Sequence, residues 1–490
     1  MPSAYYEDLH NETIEEDTTF LIENDKGTEE PEEVTITPRL VPGIRADDDD
    51  DNKVDYTGAQ VWQVNTNKTG VRAVLYRLRR RNLISTWGGN QSSVDILIKP
   101  QALGNVSRVF KRENIVYNII IDDLQQRINE ENPPLDENEL ELQDRRARSY
   151  NFWRYRATRR RVALLGAYMG YNSVDLPMEY WRYANWGHLM TWKQYHRLDE
   201  IYGFLNYLAK TYPALVTVQS IGKSHQGNDL KVLKISNGDP KNKAVFIDGG
   251  IHAREWISPA TVTYFINQIA ENFDIESDDI KNIDWYFMPV VNPDGYEFTH
   301  TSDRLWRKNR RTPPVTGRVC SGIDLNRNFG YKWGGKGSSN NPCSEIYGGR
   351  RAFSEPESKA LADFITNSAT NFSAYLTYHS YGQYLLYPWG YENVVPPDYQ
   401  DLDKLGKKIA QAIQETGGSQ YKVGSSSGLL YPASGGSDDW AKAQGIKYSY
   451  TIELSDTGRH GFILPTSYIE PVARESLAGL RVLANQLSKE

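Results

Sequence analysis

The chain has few cysteines, no long hydrophobic run and no strong charge of either sign. Only two of its 490 residues are cysteine. No stretch approaches the roughly 18 uncharged apolar residues that a membrane-spanning helix requires, so no such helix is predicted. The formal net charge is −7, much of it in the first fifty residues, which favours neither a nucleic-acid surface nor a membrane surface. Residues 1–25 lack a basic start followed by an apolar core, so no signal peptide is predicted.

The two cysteines do not decide whether the protein acts inside or outside the cytosol. Cys320 and Cys343 flank a loop rich in glycine and asparagine. They can be two free buried thiols, or they can form a short-loop disulfide, which would place the protein outside the cytosol. Several Asn-x-Ser/Thr triplets fit secretion, although such triplets are common by chance.

The length predicts two or three domains. Residues 1–52 are acidic and poor in apolar runs, which is typical of disorder. Residues 53–132 alternate three strand-like runs with two helical segments, which predicts a small antiparallel α+β unit. Residues 133–187 form a connecting segment with a cluster of arginines. A basic run can bind nucleic acid, but one isolated run in an acidic protein favours a solvated, protease-sensitive linker.

Strands and helices alternate from residue 188 to residue 490, which predicts one large α/β domain with a mostly buried mixed sheet. Strands are predicted near 215–220, 230–236, 244–249, 284–291, 373–379 and 446–453. Helices are predicted near 197–211, 258–272, 354–368, 401–416 and 471–488. The run Ser354-Glu355-Pro356-Glu357 has the pattern of a capping box at the start of the third of these helices.

One pair of residues suggests a metal site. His252 and Glu255 follow the apolar run 244–247 and the pair Gly249-Gly250. A His and an acidic residue three positions apart are expected by chance in a chain with this composition. The strand–loop–helix context changes the interpretation, because ligand sites in α/β proteins gather beyond the carboxyl ends of strands. A catalytic zinc ion needs three His or Glu ligands and an open position, and this pair supplies two.

Two further strand ends supply candidates for the same site. His379 follows the predicted strand 373–378 and is the candidate third ligand. Glu453 ends the run 446–452 and is a candidate base, although a strand-terminal carboxylate is usually only solvated. Asp324 is a candidate to orient a metal-bound histidine, and a simple turn role is equally compatible with its context. Three nearby polar residues offer donors for a carboxylate or an oxyanion, namely Arg307, Asn326 and Arg327.

Six motifs, in their order along the chain, resemble those of zinc metallocarboxypeptidases of the pancreatic A/B type. They are His252-x-x-Glu255, Trp306-Arg307-Lys308, Asp324-x-Asn326-Arg327-Asn328, His379-Ser380-Tyr381, Tyr431-x-Ala433-x-Gly435-Gly436-Ser437 and Glu453-Leu454. The resemblance covers residues 188–490 closely and residues 53–132 more loosely. It implies a mixed sheet of the eight-stranded type flanked by helices, and a small inhibitory pro-domain before it.

The resemblance implies the catalytic roles. One Zn²⁺ ion would be held by His252, Glu255 and His379. Glu453 would act as the base toward water, and Arg307 would stabilise the oxyanion.

It also implies the substrate contacts. Asn326, Arg327 and Tyr431 would hold the free C-terminal carboxylate of a peptide or protein. Arg254 and Tyr381 would contact residues further upstream in the substrate.

Specificity is expected to depend on Asp438, which occupies the position that is apolar in A-type and Asp in B-type enzymes. A buried carboxylate there favours C-terminal Lys or Arg, whereas the alternative is an Asp in the first turn of a helix.

Cys320–Cys343 matches a family disulfide. A secreted monomeric zymogen is implied, activated by a trypsin-like protease cutting within 133–187, with no nucleic-acid or membrane partner. The rival interpretations are a catalytically inactive binding protein on the same fold and a cytosolic relative.

Overall fold

The computed structural model describes residues 53–135, 188, 190–312 and 320–490. The predictions made for the acidic residues 1–52 and for the arginine cluster of the connecting segment concern residues outside this part of the chain. None of the helices within the described residues is both long enough and apolar enough to cross a membrane.

A small antiparallel sheet forms the first folded region, which we call the small domain. Its strands are β1 (Gln60–Asn65), β2 (Ser85–Gly89), β3 (Ser93–Ile98) and β4 (Tyr117–Ile121), in the order β2-β3-β1-β4. Its helices are α1 (Val71–Arg80), α2 (Pro100–Glu113) and α3 (Leu124–Glu131). The apolar sides of α1 and α2 share one core with β1 and β3, because each element buries one face only. The predicted α+β unit is confirmed, with β2 as an additional strand.

The large domain is built on a mixed eight-stranded sheet, as expected. Its strands are β5 (Val216–Lys223), β6 (Asp229–Ile235), β7 (Lys243–Gly249), β8 (Ile283–Met288), β9 (Phe372–Ser380), β10 (Tyr384–Tyr387), β11 (Lys422–Ser425) and β12 (Tyr448–Leu454). Their order in the sheet is β11-β10-β12-β9-β7-β8-β6-β5. β8, β7, β9 and β12 run parallel to one another, so their carboxyl ends lie along one edge.

Helices flank this sheet on both faces. They are α4 (Leu198–Thr211), α5 (Ile257–Glu271), α6 (Asp278–Lys281), α7 (Pro293–Thr301), α8 (Pro356–Asn367), α9 (Tyr399–Gly417), α10 (Ser426–Leu429), α11 (Ser437–Ala443) and α12 (Ile469–Leu487). Short 3₁₀ turns also occur among the described residues, at Phe273–Ile275, Leu325–Arg327 and Thr466–Tyr468.

The central strand β7 shows why the sheet needs cover on both sides. Val245 and Ile247 belong to the core on one face, whereas Ala244 and Phe246 belong to the core on the other. Successive side chains of a strand point to opposite faces, so an uninterrupted apolar run can be satisfied only between two layers of helices. This pattern made the central strands predictable.

The capping box predicted at Ser354 is wrong. Helix α8 begins at Pro356, its N-cap is Glu355, and no side chain caps it. The Ser354 hydroxyl donates to the Glu355 carboxylate instead. In a capping box the Glu357 carboxylate would accept from the backbone of the N-cap residue. It accepts instead from the Asn309 side chain and from the backbone of His225.

Cys320 and Cys343 form the disulfide that the resemblance implied, with their Cα atoms 5.0 Å apart. Within the described residues no free cysteine remains. The bond closes a loop of the large domain that contains Asp324.

A mixed apolar and ionic contact joins the two domains. Leu97 and Ile121 of the small domain share a buried cluster with Leu305 and Phe462 of the large domain. Beside it, two nitrogens of the Arg304 guanidinium donate to the two carboxylate oxygens of Glu131 at 2.6 Å each. Arg304 and Glu131 are only 6% and 1% exposed, so each charge depends on the other for its solvation.

We predict that Glu131→Ala will weaken the docking of the small domain. Removing one partner of a buried ion pair leaves the other charge unsolvated, which costs about 3–5 kcal/mol. Urea unfolding, together with limited proteolysis of residues 53–135, measures the change. The neighbouring Glu130→Ala, at an exposed position, is the matched control, and equal behaviour of the two variants would contradict the prediction.

Candidate metal centre and substrate cleft

The parallel strands β7 and β9 bring the three predicted metal ligands together. β7 ends at Gly249, and His252 and Glu255 follow in the turn before α5. His379 is the penultimate residue of β9, the direct neighbour of β7. The turn demands glycine at 250, where φ is +64°, and at 249, where a Cβ would lie 2.7 Å from the Ser258 hydroxyl. These glycines let the chain reverse tightly enough to aim both side chains at the sheet edge.

The side chains of His252, Glu255 and His379 converge on one point. One ligand atom from each lies within 4.8 Å of the other two. The Glu255 oxygens lie 2.8 Å from His252 Nδ1 and 3.0 Å from His379 Nδ1, and the two Nδ1 atoms are 3.1 Å apart. All three residues are at most 4% exposed. Two imidazoles and one carboxylate form a ligand set of catalytic zinc sites, so these residues fit that ion.

The electrostatics of the Glu255 carboxylate agree with a cation site. Burial raises the pKa of Glu255, but the two imidazoles outweigh it and hold that pKa well below its usual range. Burial lowers the pKa of His379, but the Glu255 carboxylate outweighs this and raises it to about 9. A buried carboxylate that stays ionised between two imidazoles has the protonation state that a metal ligand needs.

Asp324 makes the contacts that both of its expected roles would require. Its Oδ1 lies 3.2 Å from His252 Nε2 and accepts from the backbone of Asn326 at 3.0 Å. Its Oδ2 accepts from Arg307 Nε at 3.1 Å and from a second Arg307 nitrogen at 3.0 Å. One buried carboxylate therefore fixes the ring of a metal ligand, a turn and a guanidinium at once.

A second orienting chain was missed in the sequence. Thr377 Oγ1 lies 3.2 Å from His379 Nε2 and donates to Asp248 at 2.7 Å. Asp248 is fully buried near the end of β7. A charged residue at the end of an otherwise apolar strand was the signal that could have identified it.

Arg307 and Glu453 lie at the same edge of the sheet. An Arg307 nitrogen is 3.8 Å from Glu255 Oε1. Glu453 lies near the end of β12, paired in register with His379 on one side and Tyr384 on the other. Burial raises the pKa of Glu453 to about 7, against the opposing effect of His379 and with a further contribution from Glu255. Arg307 and Asp438 also act on this carboxyl group, which therefore lies near both of them.

The next part of the cleft places an amide beside a carboxylate. Asn326 Oδ1 accepts from the backbone of Ser437 at 2.9 Å, which ties the 3₁₀ turn to the start of α11. A Cβ at Gly436 would lie 2.8 Å from Asp438 Oδ1 and 3.6 Å from Asn326 Oδ1. Glycine at this position therefore leaves the space between Asn326 and Asp438 open.

Asp438 and its neighbour Asp439 face different surroundings. Asp439 accepts from the backbones of Gly390 at 2.7 Å and Tyr391 at 2.9 Å. Burial, reinforced by Asp438, raises the pKa of Asp439 well above its usual range. Asp438 is 6% exposed, and the one hydrogen bond that its carboxylate accepts from a described side chain is a long contact of 3.4 Å from the Ser426 hydroxyl. The Asp439 carboxylate therefore stabilises the fold, whereas the Asp438 carboxylate can accept further hydrogen bonds from a ligand.

The remaining predicted substrate residues are placed unequally. Arg327 is buried and donates to the backbone oxygens of Gly337 and Asn326 at 2.9 and 2.8 Å. Tyr431 is 48% exposed, and its electrostatic influence reaches Arg307. It therefore lies at the rim of the cleft rather than inside it.

Arg254 and Tyr381 lie against the small domain. The Arg254 guanidinium is centred 4.2 Å from the ring of Phe462, within the apolar contact between the domains. The Tyr381 hydroxyl donates to Asp95 of β3 at 2.6 Å. A Cβ at Gly88 of β2 would lie 2.6 Å from that hydroxyl. The small domain therefore covers the residues that were expected to contact the upstream part of a substrate.

A buried clamp on the Arg307 segment was also missed. The Asn309 side chain accepts from the backbone of Ile323 at 2.9 Å and donates to Glu355 at 2.9 Å and Glu357 at 3.1 Å. All three polar residues are fully buried. The clamp joins the segments that carry Arg307 and Asp324 to the start of α8. No local pattern in the sequence marks it, because its partners lie far apart in the chain.

The clamp predicts a pH-dependent stability. Burial raises the pKa of Glu357 to about 7, and the neighbouring Glu355 adds to the shift. The folded state then holds a proton that the unfolded chain has lost, so this group's contribution to stability falls as pH rises from about 4.5 to about 7. We expect Glu357→Gln to stabilise the protein, relative to the parent, more at pH 8 than at pH 4.5, by on the order of 1–3 kcal/mol. Thermal unfolding at the two pH values measures this. The exposed Glu392→Gln is the control, and a pH-independent difference would argue against the clamp.

Comparison with known proteins agrees with the site. Residues 201–479 match the zinc carboxypeptidase family, and residues 62–131 match the carboxypeptidase activation peptide. A carboxypeptidase B of Astacus astacus is 47% identical over 298 residues, which is 60% of this chain and 98% of that protein. Carboxypeptidase A1 of Bos taurus is 36% identical over 436 residues, 87% of this chain and 93% of that protein.

Two solved structures are similar over both domains. Thrombin activatable fibrinolysis inhibitor is 31% identical with a TM-score of 0.72, covering 89% of this chain and 100% of that one. Carboxypeptidase A from Helicoverpa armigera is 30% identical with a TM-score of 0.70, covering 89% and 99%. The chain therefore belongs to the zinc carboxypeptidase family and carries that family's activation peptide. It is a zinc-dependent peptidase made as a zymogen.

Proposed function

We propose that this zymogen yields a carboxypeptidase of B-type specificity, which removes C-terminal Lys and Arg from peptides and proteins. The buried Asp438 carboxylate, beside Asn326, is the observation that carries the proposal. Relatives named carboxypeptidase B, from Astacus astacus and Bos taurus, support it. Relatives named carboxypeptidase A also match, so overall similarity does not decide specificity and the pocket residue must.

His252, Glu255 and His379 would hold the single zinc ion. When bound, zinc supplies Lewis-acid catalysis, polarising a carbonyl and lowering the pKa of water. Asp324 and Thr377 keep the two imidazoles in the orientation that directs Nδ1 toward Glu255. These outer contacts limit ring rotation, which keeps the ligand set preorganised.

Glu453 would act as the general base and then as the general acid. Its carboxylate takes a proton from the attacking water and delivers it to the nitrogen of the leaving residue. Burial raises the pKa of this carboxyl group, which strengthens it as a base. Arg307, fixed by two hydrogen bonds to Asp324, would stabilise the negative charge that develops on the scissile carbonyl oxygen.

The free C-terminus of the substrate would be recognised by Asn326, Arg327 and Tyr431. A guanidinium and an amide can both donate to one carboxylate. Because Gly436 leaves the space between Asn326 and Asp438 open, a substrate whose carboxylate is bound by Asn326 would direct its last side chain toward Asp438. The site would therefore act only on the terminal residue.

Asp438 would pair with the cationic end of that side chain. A mostly buried carboxylate without a strong partner is costly unless a ligand compensates it. A lysine or arginine side chain offers that compensation, whereas a phenylalanine leaves the carboxylate unpaired.

The small domain would block the cleft until it is removed. It engages Tyr381 through Asp95, and Arg304 through Glu131. We propose residues 1–52 as an N-terminal segment, 53–132 as the pro-domain, 133–187 as the activation segment and 188–490 as the enzyme. A trypsin-like protease would cut the activation segment, and the released enzyme would act outside the cell as a monomer, where a disulfide is stable.

The function is tested with trypsin-treated protein and four peptides that end in Arg, Lys, Phe or Leu. We expect release of Arg and Lys, little release of Phe or Leu, and loss of activity with a chelator that zinc restores. Untreated protein should show much lower activity. A lack of release after treatment, with zinc bound and the small domain gone, would favour the inactive binding protein.

The specificity is tested with Asp438→Ile. Losing a buried charge partner costs about 2–5 kcal/mol, so kcat/KM for the Arg peptide should fall at least 30-fold or so, while the Phe and Leu peptides should improve. Asp401→Asn, at an exposed position in α9, removes the same charge far from the pocket and should change nothing. An unchanged preference for basic residues in Asp438→Ile would overturn the B-type assignment.

A further inference from the structure

A cavity of about 350 Å³ lies on the large domain beside the disulfide. Its walls come from the segment after Asn309, from the Cys320 end of the disulfide and from the chain that leads into α8. Three arginines are among its lining residues, namely Arg311, Arg350 and Arg351. None of these arginines has a role in the peptidase site described above.

The positive charge of this cavity is only partly balanced. Glu355 is the one carboxylate among its described lining residues. It is fully buried and already accepts from Asn309 at 2.9 Å and from the Ser354 hydroxyl at 2.8 Å. Arg311 lies 3.3 Å from it. Among the described residues, no carboxylate lies within salt-bridge distance of Arg350 or Arg351, so two of the three guanidinium groups lack a counter-charge.

Surface arginines are usually solvated, but these three residues line one concave site. Isolated arginines on a convex surface offer a ligand one weak contact each, whereas a recess lets several guanidinium forks reach one anion. Paired hydrogen bonds from guanidinium groups match the oxygen atoms of phosphate and sulfate. A volume of this size lies at the lower end of the range of about 300–1,000 Å³ that is typical of small-ligand sites.

We propose that this cavity binds a ligand bearing a phosphate or sulfate group, through Arg311, Arg350 and Arg351. The site is separate from the peptide cleft but shares its scaffold. Arg311 follows the Asn309 clamp, and the backbone oxygen of Tyr347, another lining residue, accepts from the backbone of Asp324 at 2.8 Å. A bound anion would therefore stabilise the segments that carry Arg307 and Asp324.

Binding is tested by calorimetric titration of the intact zymogen at low ionic strength. The probes are sodium sulfate, sodium phosphate and a sulfated disaccharide, with sodium chloride as the reference salt. We expect saturable binding of the tetrahedral anions and a rise in Tm beyond that given by chloride at equal ionic strength. Tighter binding of the disaccharide would identify a sulfated sugar chain as the source of the group. Equal affinities would identify the free ion, and both results support the site.

Matched charge variants show whether the cavity is responsible. Arg350→Gln combined with Arg351→Gln should weaken binding at least tenfold. Arg77→Gln combined with Arg80→Gln, at exposed positions of α1, makes the same change of charge elsewhere and should leave binding unchanged. Lysine at both 350 and 351 keeps the charge but loses the planar fork, and should give intermediate affinity.

Three results would overturn the proposal. They are no saturable binding in the parent protein, equal weakening in the two glutamine pairs, and a response to sulfate no greater than the response to chloride. The last two would show general screening of a charged surface. Because Arg350 and Arg351 are exposed, we expect the variants to fold, and an unchanged Tm without added anion checks this directly. The test needs no peptidase activity, so it stands apart from the proposed specificity.

Discussion

The Glu255 carboxylate, held between two buried imidazoles, is the interaction on which the site depends. Its two oxygens lie 2.8 and 3.0 Å from nitrogens that come from the ends of two neighbouring parallel strands. A charge buried to this degree is stable only if compensated. The sheet order, the double-glycine turn and the outer partners Asp324 and Thr377 all serve to keep that compensation in place. The rest of the cleft is built outward from this edge.

The sequence predicted the parts of the fold that a single segment specifies. The apolar runs of β7 and β9 identify buried central strands without reference to any partner, and the two ligands in the turn after β7 lie in one local motif. Short strands such as β10 and β11 were missed, because four residues carry too little periodicity to be distinguished from a loop. The helix start at Ser354 was predicted wrongly. The sequence at Ser354 has the residues of a capping box, but the Glu357 carboxylate accepts a hydrogen bond from the distant Asn309 instead. The spacing of residues along the chain does not reveal tertiary contacts of this kind.

The residues of the site also fall into those that the sequence predicts and those that it does not. Motif order and resemblance predicted the metal ligands, and the geometry brings all three together. Asn309, Glu355 and Thr377 escaped notice because they act on Arg307, Asp324 or His379 rather than on a substrate. Asp248 was in principle detectable as a charge within an apolar strand. Supporting residues in general are determined by three-dimensional proximity, whereas the groups that they support recur as motifs.

Gly88 illustrates how one domain can shape the sequence of another. A side chain at this position would collide with the Tyr381 hydroxyl, so the requirement for glycine comes from a residue of the enzyme and not from the strand that contains it. That requirement lasts only as long as the two parts remain docked. The mature enzyme would lack the small domain and would therefore not contain a mutation at Gly88. Natural variation at this position would change how well the zymogen is inhibited, but not the activity of the released enzyme.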